Sequence, residues 1–183
     1  MKKIIAISGS TRKYSTQLNY INAIAELAKN IFTINIFGGL SEIPHFNPDI
    51  DDENPPQQVV EFRRQLSEAD GVLICTPEYA MGVPGTLKNA IDWTVSSCEF
   101  NHKPTVLITA SSLGQKGHIS LMETLKIIEA KITDETQLVI SFAKIKVSKD
   151  YKITDETTLN EVKKVIKAFD TILSNSRTPF QQP

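Results

Sequence analysis

Five short apolar runs, each separated from the next by a stretch whose apolar residues recur at spacings of three and four, limit what this chain of 183 residues can fold into. The runs are "KIIAIS" (3–8), "FTINIF" (32–37), "GVLIC" (71–75), "KPTVLITA" (103–110) and "TQLVISF" (136–142). Runs of this length, rich in Ile, Val and Leu, suit strands of a buried sheet. Between them the spacing predicts helices over 15–30, 57–69, 84–97 and 119–131, and a long last helix over 154–173 behind the cap signal "TDET". Strands alternating with helices argue for an α/β fold, a parallel sheet covered on both faces, because right-handed crossovers put the helices there. One domain over 1–175 with a mobile tail over 176–183 is expected, and the acidic run "DIDDEN" (49–54) reads as a solvated loop.

Ligands of such sheets bind at the carboxyl ends of the strands, near the switch in strand order. That directs attention to the loops after the first, third and fourth strands, "GSTRKYSTQ", "TPEYAMGVPG" and "SSLGQKGH". The first places the hydroxyls of Ser10, Thr11, Ser15 and Thr16 and the guanidinium of Arg12 at a helix N-terminus, where free N–H groups favour an anion. A terminal phosphate would fit there; a plain helix cap with a solvated arginine accounts for the same residues. The second loop is stiffer than a connector needs to be. Pro77 and Pro84 restrict its ends, Tyr79 offers an aromatic face, and Gly82 and Gly85 leave room. In the third, Gly114 and Gly117 permit backbone close to a flat ligand, as they would in an ordinary loop. A phosphate pocket beside two backbone-rich loops suits a planar ring with a phosphorylated arm, as in FMN.

Several other chemistries are excluded. The chain lacks GxxxxGK[ST], GxGxxG after the first strand, and GxSxG. His45, His102 and His118 are far apart with no metal spacing, and each reads as structural or solvated, His118 alone lying near a ligand loop. No metal site is expected. Twenty basic against twenty-one acidic residues leave a net charge of −1, which favours neither nucleic acid nor an anionic membrane. The apolar part of "MKKIIAISGS" is too short for a signal peptide, and no run approaches the ~20 residues of a membrane helix. Cys75 and Cys98 form no CxxC and are expected reduced, as in a cytoplasmic protein.

"GSTRKYST" and, more specifically, "PEYAMGVPGTLKNAIDW" resemble the NADPH-dependent FMN reductase family, which includes flavodoxin-like quinone and azo reductases. The resemblance runs from residue 3 to about residue 131 in motif order. It implies a flavodoxin-like three-layer sandwich with strand order 2-1-3-4-5. It implies FMN as cofactor, with its phosphate on Ser10, Arg12, Ser15, Thr16 and Gln17. The ring would lie against Pro77, Glu78, Tyr79 and Ala80, with Ser111 and Gly114 on its other side. Many members carry Asn where this chain has Gln17 and Ala80. The implied activity passes hydride from NADPH or NADH through FMN to a small acceptor (quinone, azo compound, free flavin or metal oxyanion) in a ping-pong cycle. The cofactor carries that chemistry, so no side chain is expected to act as acid or base. Backbone donors beside the N1/O2 edge would stabilise the charge that reduction places there. Glu78 then reads as structural or as a subunit contact rather than catalytic, Trp93 as a core or interface residue, and the protein as a homodimer or homotetramer. A flavodoxin-like electron carrier and a flavin-binding sensor are the alternatives, and the near-neutral charge disfavours the carrier.

Overall fold

The computed structural model describes residues 1–51 and 54–176; Asp52, Glu53 and the expected tail from residue 177 onward lie outside the described residues. Strands β1 (Lys2–Ser8), β2 (Phe32–Phe37), β3 (Gly71–Thr76), β4 (Thr105–Ala110) and β5 (Gln137–Ile140) form one parallel sheet in the order β2-β1-β3-β4-β5. Helices α1 (Thr16–Ala28), α2 (Gln57–Glu68), α3 (Gly85–Asp92), α4 (Gln115–Ile127) and α5 (Glu156–Asn175) cover it. The flavodoxin-like order expected from the resemblance is the order found.

Side-chain alternation along the strands divides the core in two. Ile4 and Ala6 of β1, Leu73 and Cys75 of β3, and Val106 and Ile108 of β4 pack with Tyr20 and Ile24 of α1 and Val162 and Phe169 of α5. Their neighbours Ile5, Ile7, Val72, Ile74 and Leu107 pack on the other face with Phe62 of α2, Leu87 and Ile91 of α3, and Leu121 and Leu125 of α4. The central strands are buried along their length, which is why they read as continuous apolar runs. Among the described residues no helix is long and apolar enough to cross a membrane.

Two helices depart from the sequence expectation. α3 was expected to reach residue 97 but ends at Asp92. The Thr94 and Val95 N–H groups turn to Ile91 O at 2.9 Å and Asp92 O at 3.3 Å, so the helical ladder tightens and stops, and just past its end the carbonyl of Trp93 is taken by the Arg63 guanidinium, with Nε at 2.8 Å. α4 was expected over 119–131 but spans Gln115–Ile127, four residues earlier at each end. It opens on Gly114, at φ 92°, and places Gly117 and His118 in its first turn rather than in a loop. It closes with Glu129 in the left-handed region at φ 59°, where the Ala130 N–H reaches Leu125 O at 2.9 Å and the Glu129 N–H reaches Lys126 O at 3.0 Å. That double bond pattern ends a helix usually finished by glycine.

The long connection between β2 and α2 is strapped onto α3. Asn89 donates through Nδ2 to Pro44 O at 2.9 Å and accepts from the Phe46 N–H at 2.7 Å. The fully buried Trp93 donates through Nε1 to the same Pro44 carbonyl at 2.9 Å and meets Phe46 edge-on at 5.1 Å. Asp51 belongs to this strap and is not the solvated acid expected from "DIDDEN". Its carboxylate pairs with Arg63 at 2.7 Å and accepts from Ser96 Oγ at 2.5 Å, with the side chain only 6% exposed. Desolvation pushes its pKa up, but the bonds from Ser96 and Arg63 outweigh it and hold the group below its ordinary value. Asn89 and Trp93 of "LKNAIDW" thus build scaffold. Replacing Asn89 with Ala removes both of its bonds to the strap, and at ~0.5–1.5 kcal/mol net per bond we expect a loss of about 1–3 kcal/mol of stability by urea denaturation.

Candidate functional site

At the carboxyl end of the sheet, the reversal of strand order between β1 and β3 opens a crevice. A cavity of ≈470 Å³ lies there, within the roughly 300–1,000 Å³ usual for small-ligand sites. It is lined by Ser10, Arg12, Ser15, Thr16 and Gln17 after β1, by Pro77, Glu78 and Tyr79 after β3, and by Ala110, Ser111 and Ser112 after β4. Of the residues that the resemblance assigns to FMN, Ala80 and Gly114 do not line it. Ala80 sits at the exposed tip of the second loop, and Gly114 caps α4 behind the wall. A separate groove of ≈510 Å³ lies along α3 and α4 and holds none of the singled-out residues.

The first wall is a cradle built on a close approach. The Gly9 N–H donates to Cys75 O at 2.8 Å, carrying the β1–β3 pairing one residue past the strand. A β-carbon at Gly9 would lie 2.3 Å from Thr76 Oγ1, so only glycine fits. Ser8 Oγ donates to Ser10 O at 3.0 Å, and Ser10 Oγ receives the Arg12 N–H at 3.4 Å. Ser15 caps α1 by accepting the Leu18 N–H at 3.1 Å. Capping uses an acceptor lone pair and leaves the Ser15 hydroxyl proton to give. The N–H groups of Thr16 and Gln17, in the first turn of α1, have no intrahelical acceptor. The Arg12 side chain is exposed and bonds to no described residue. The Gln17 side chain does other work: buried, it donates through Nε2 to Ala110 O at 2.7 Å and ties α1 to the end of β4.

The second wall is a two-residue hairpin. The Tyr79 N–H reaches Gly82 O at 3.1 Å and the Gly82 N–H reaches Tyr79 O at 2.9 Å, with Ala80 at φ 48° and Met81 at φ 62° between them. Positive φ at both central residues defines the tight turn that favours Asn and Gly. The hairpin is clasped to α4: the Glu78 carboxylate accepts the Gly117 N–H at 2.7 Å, at the positive end of the helix. Gly117 allows the contact, since a β-carbon there would meet Gly82 O at 2.9 Å. His118, on the same turn, faces away from the cavity. It is buried, with Nδ1 2.9 Å from Thr109 Oγ1 and Nε2 2.8 Å from Gln137 Oε1. Desolvation lowers its pKa, and it pins α4 to β4 and β5.

The third wall was missed by the sequence reading, which stopped at the loops after β1, β3 and β4. Phe142, Ala143, Lys144 and Ile145 complete the lining. The Phe142 and Ala143 N–H groups donate to Ser112 O and Ser111 O, both at 3.0 Å, extending the β4–β5 pairing beyond the strands. Tyr20 of α1 donates its hydroxyl to Ala143 O at 3.1 Å. No motif marks this turn; only the strand order, which sets β5 beside β4, points to it.

Ala80 and Met81 occupy a conformation that costs an L-residue roughly 1–2 kcal/mol. Ala80→Gly should therefore raise stability by about 1 kcal/mol, and Ala80→Asn by somewhat less. Equilibrium denaturation of the three proteins checks this.

The sequence matches the family described as NADPH-dependent FMN reductase over residues 2–145. The quinone reductase of Escherichia coli K12 is 30% identical over 175 residues, covering 91% of this chain and 93% of that protein. A quinone reductase of Pseudomonas putida is 35% identical over 111 residues, 59% of each chain. Among solved structures, the flavoenzyme NAD(P)H:(acceptor) oxidoreductase FerB of Paracoccus denitrificans superposes with a TM-score of 0.83 at 23% identity, covering 96% of this chain and 98% of its own. The chain belongs to the NADPH-dependent FMN reductase family, an oxidoreductase family with the flavodoxin-like fold.

Proposed function

We propose that this chain is an FMN-dependent NAD(P)H oxidoreductase that takes reducing equivalents from NADPH or NADH and passes them to a small acceptor at the same site, in a ping-pong cycle. The acceptor class is a quinone, azo compound, free flavin or metal oxyanion. The observation that carries the reading is the meeting in one cavity of a helix-capped hydroxyl cradle, an arginine whose guanidinium bonds to no described residue, and a hairpin clasped from behind. The donor set fits FMN. Ser10, Ser15, Thr16 and Arg12 would hold the phosphate, and the hairpin backbone at 77–79, faced by Ser111, would hold the ring. Bound FMN would supply the redox centre between nucleotide and acceptor.

The protein's own part is positional. Glu78 has its carboxylate on α4, so it offers the ligand backbone rather than an acid. The N–H groups of Glu78 and Ala80 have no acceptor among the described residues and remain available as donors. Gln17 fixes the distance between the phosphate cradle and the end of β4. One domain over 1–175 is part of the proposal, supported by core layers that draw residues from Ile4 to Leu173. So is a homodimer or homotetramer, supported by the exposed Val95 and Ile127 beside the α3–α4 groove.

Two measurements test the reading. Arg12→Ala should weaken FMN binding by about 10- to 150-fold, the loss of a charge-assisted hydrogen bond, and leave riboflavin affinity almost unchanged. Equal losses for both flavins, or none, would contradict the phosphate cradle. In anaerobic stopped flow, NADPH or NADH should bleach the flavin band and a quinone should restore it. Failure of both nucleotides would favour an electron carrier.

A further inference from the structure

We propose that Lys144, on the turn after β5, is a second cation for the anionic arm of the flavin nucleotide; this rests on the FMN reading above. The cavity lining contains three charged side chains, Arg12, Glu78 and Lys144. The Glu78 carboxylate is held by the Gly117 N–H at the start of α4. Arg12 and Lys144 bond through their side chains to no described residue, whereas the Glu78 carboxylate is turned onto the start of α4, so the two cations rather than the acid are left to meet a ligand. A phosphate monoester bound there as a dianion matches that charge, whereas Arg12 alone would leave half of it to the α1 dipole and to water.

The turn is built to hold Lys144 in place. Phe142 enters the left-handed region at φ 53° and redirects the chain off β5 into a short 3-10 turn over Ala143–Ile145. The turn is fastened on three sides. Phe142 and Ala143 donate to Ser112 O and Ser111 O at 3.0 Å, and Ser141 Oγ donates to Leu113 O at 3.0 Å. The Lys146 N–H returns to Ala143 O at 3.2 Å, and the same carbonyl accepts the Tyr20 hydroxyl at 3.1 Å. Tyr20 lies one helical turn beyond Thr16, so its bond sets the Lys144 segment beside the opening turn of α1, where the phosphate cradle is. The lysine is exposed, and neither fold nor core depends on its ammonium.

The test is FMN and riboflavin affinity, by fluorescence quenching of the full chain freed of flavin, for wild type, Arg12→Ala, Lys144→Ala and Lys144→Glu. Lys144→Ala should weaken FMN binding about three- to fivefold, and Lys144→Glu roughly tenfold or more, with riboflavin within about twofold throughout. FMN affinity unchanged in both Lys144 variants, while Arg12→Ala weakens it, would overturn the role of Lys144 and leave the FMN reading intact. Parallel losses for FMN and riboflavin would also overturn it, assigning the turn to the ring instead. So would intact FMN affinity with KM raised for NADPH but not NADH, which would assign the lysine to the 2′-phosphate. A wild type that binds FMN no more tightly than riboflavin would sink this proposal together with the FMN reading.

Discussion

The contact between the Glu78 carboxylate and the Gly117 N–H joins the two parts of the site that most need to be fixed relative to each other. The hairpin after β3 has no core of its own: its tip residues are exposed, and two of them sit at positive φ. A strained loop with few buried contacts would fluctuate unless something outside it held its shape. α4 does so, because its first-turn amide is an orphan donor and its positive end favours a carboxylate. Glycine at position 117 lets the helix come close enough, and His118, bonded to Thr109 and Gln137, keeps the helix from sliding along the sheet. On the proposed function, the acid in "PEYA" serves geometry rather than chemistry.

The remainder of the scaffold serves the same end. Gly9 brings the first loop over the end of β3, Gln17 ties α1 to β4, and Tyr20 ties α1 to the turn after β5. Each bond runs between neighbouring strands' carboxyl ends or between such an end and α1. On the far side of α3, Asn89 and Trp93 hold the β2–α2 connection through one carbonyl, Pro44 O. The motif that identifies the family therefore has two functions: "PEYA" shapes the cavity and "LKNAIDW" anchors the helix that follows.

Strand identity and order were legible because each central strand is buried on both faces and the resemblance supplied the topology. Helix limits were less so, for local reasons. α4 begins behind a left-handed glycine instead of a Ser or Thr cap, and ends on Glu129 where glycine would have been the signal. α3 tightens into i→i−3 bonds after Asp92, and an arginine from α2, thirty residues upstream of Trp93, takes the carbonyl just past its end. Such long-range bonds leave no local trace. In the site, the loops after β1 and β3 could be read from residue types, whereas the turn at 142–145 carries no motif and enters the cavity only through tertiary contacts. That many members carry Asn where this chain has Ala80 was visible in the motif; its backbone meaning, a left-handed turn position, required coordinates.

On the proposed function, a carboxylate clasp, not a catalytic acid, makes the hairpin a shelf for the flavin ring. Flavin affinity of Glu78→Ala tests it most directly, because ring and phosphate contacts separate there. A loosened shelf should weaken FMN and riboflavin by the same factor, about tenfold for roughly 1.4 kcal/mol of lost preorganisation, with the protein still folded. Unchanged affinity for both flavins would contradict the account, as would a loss confined to FMN.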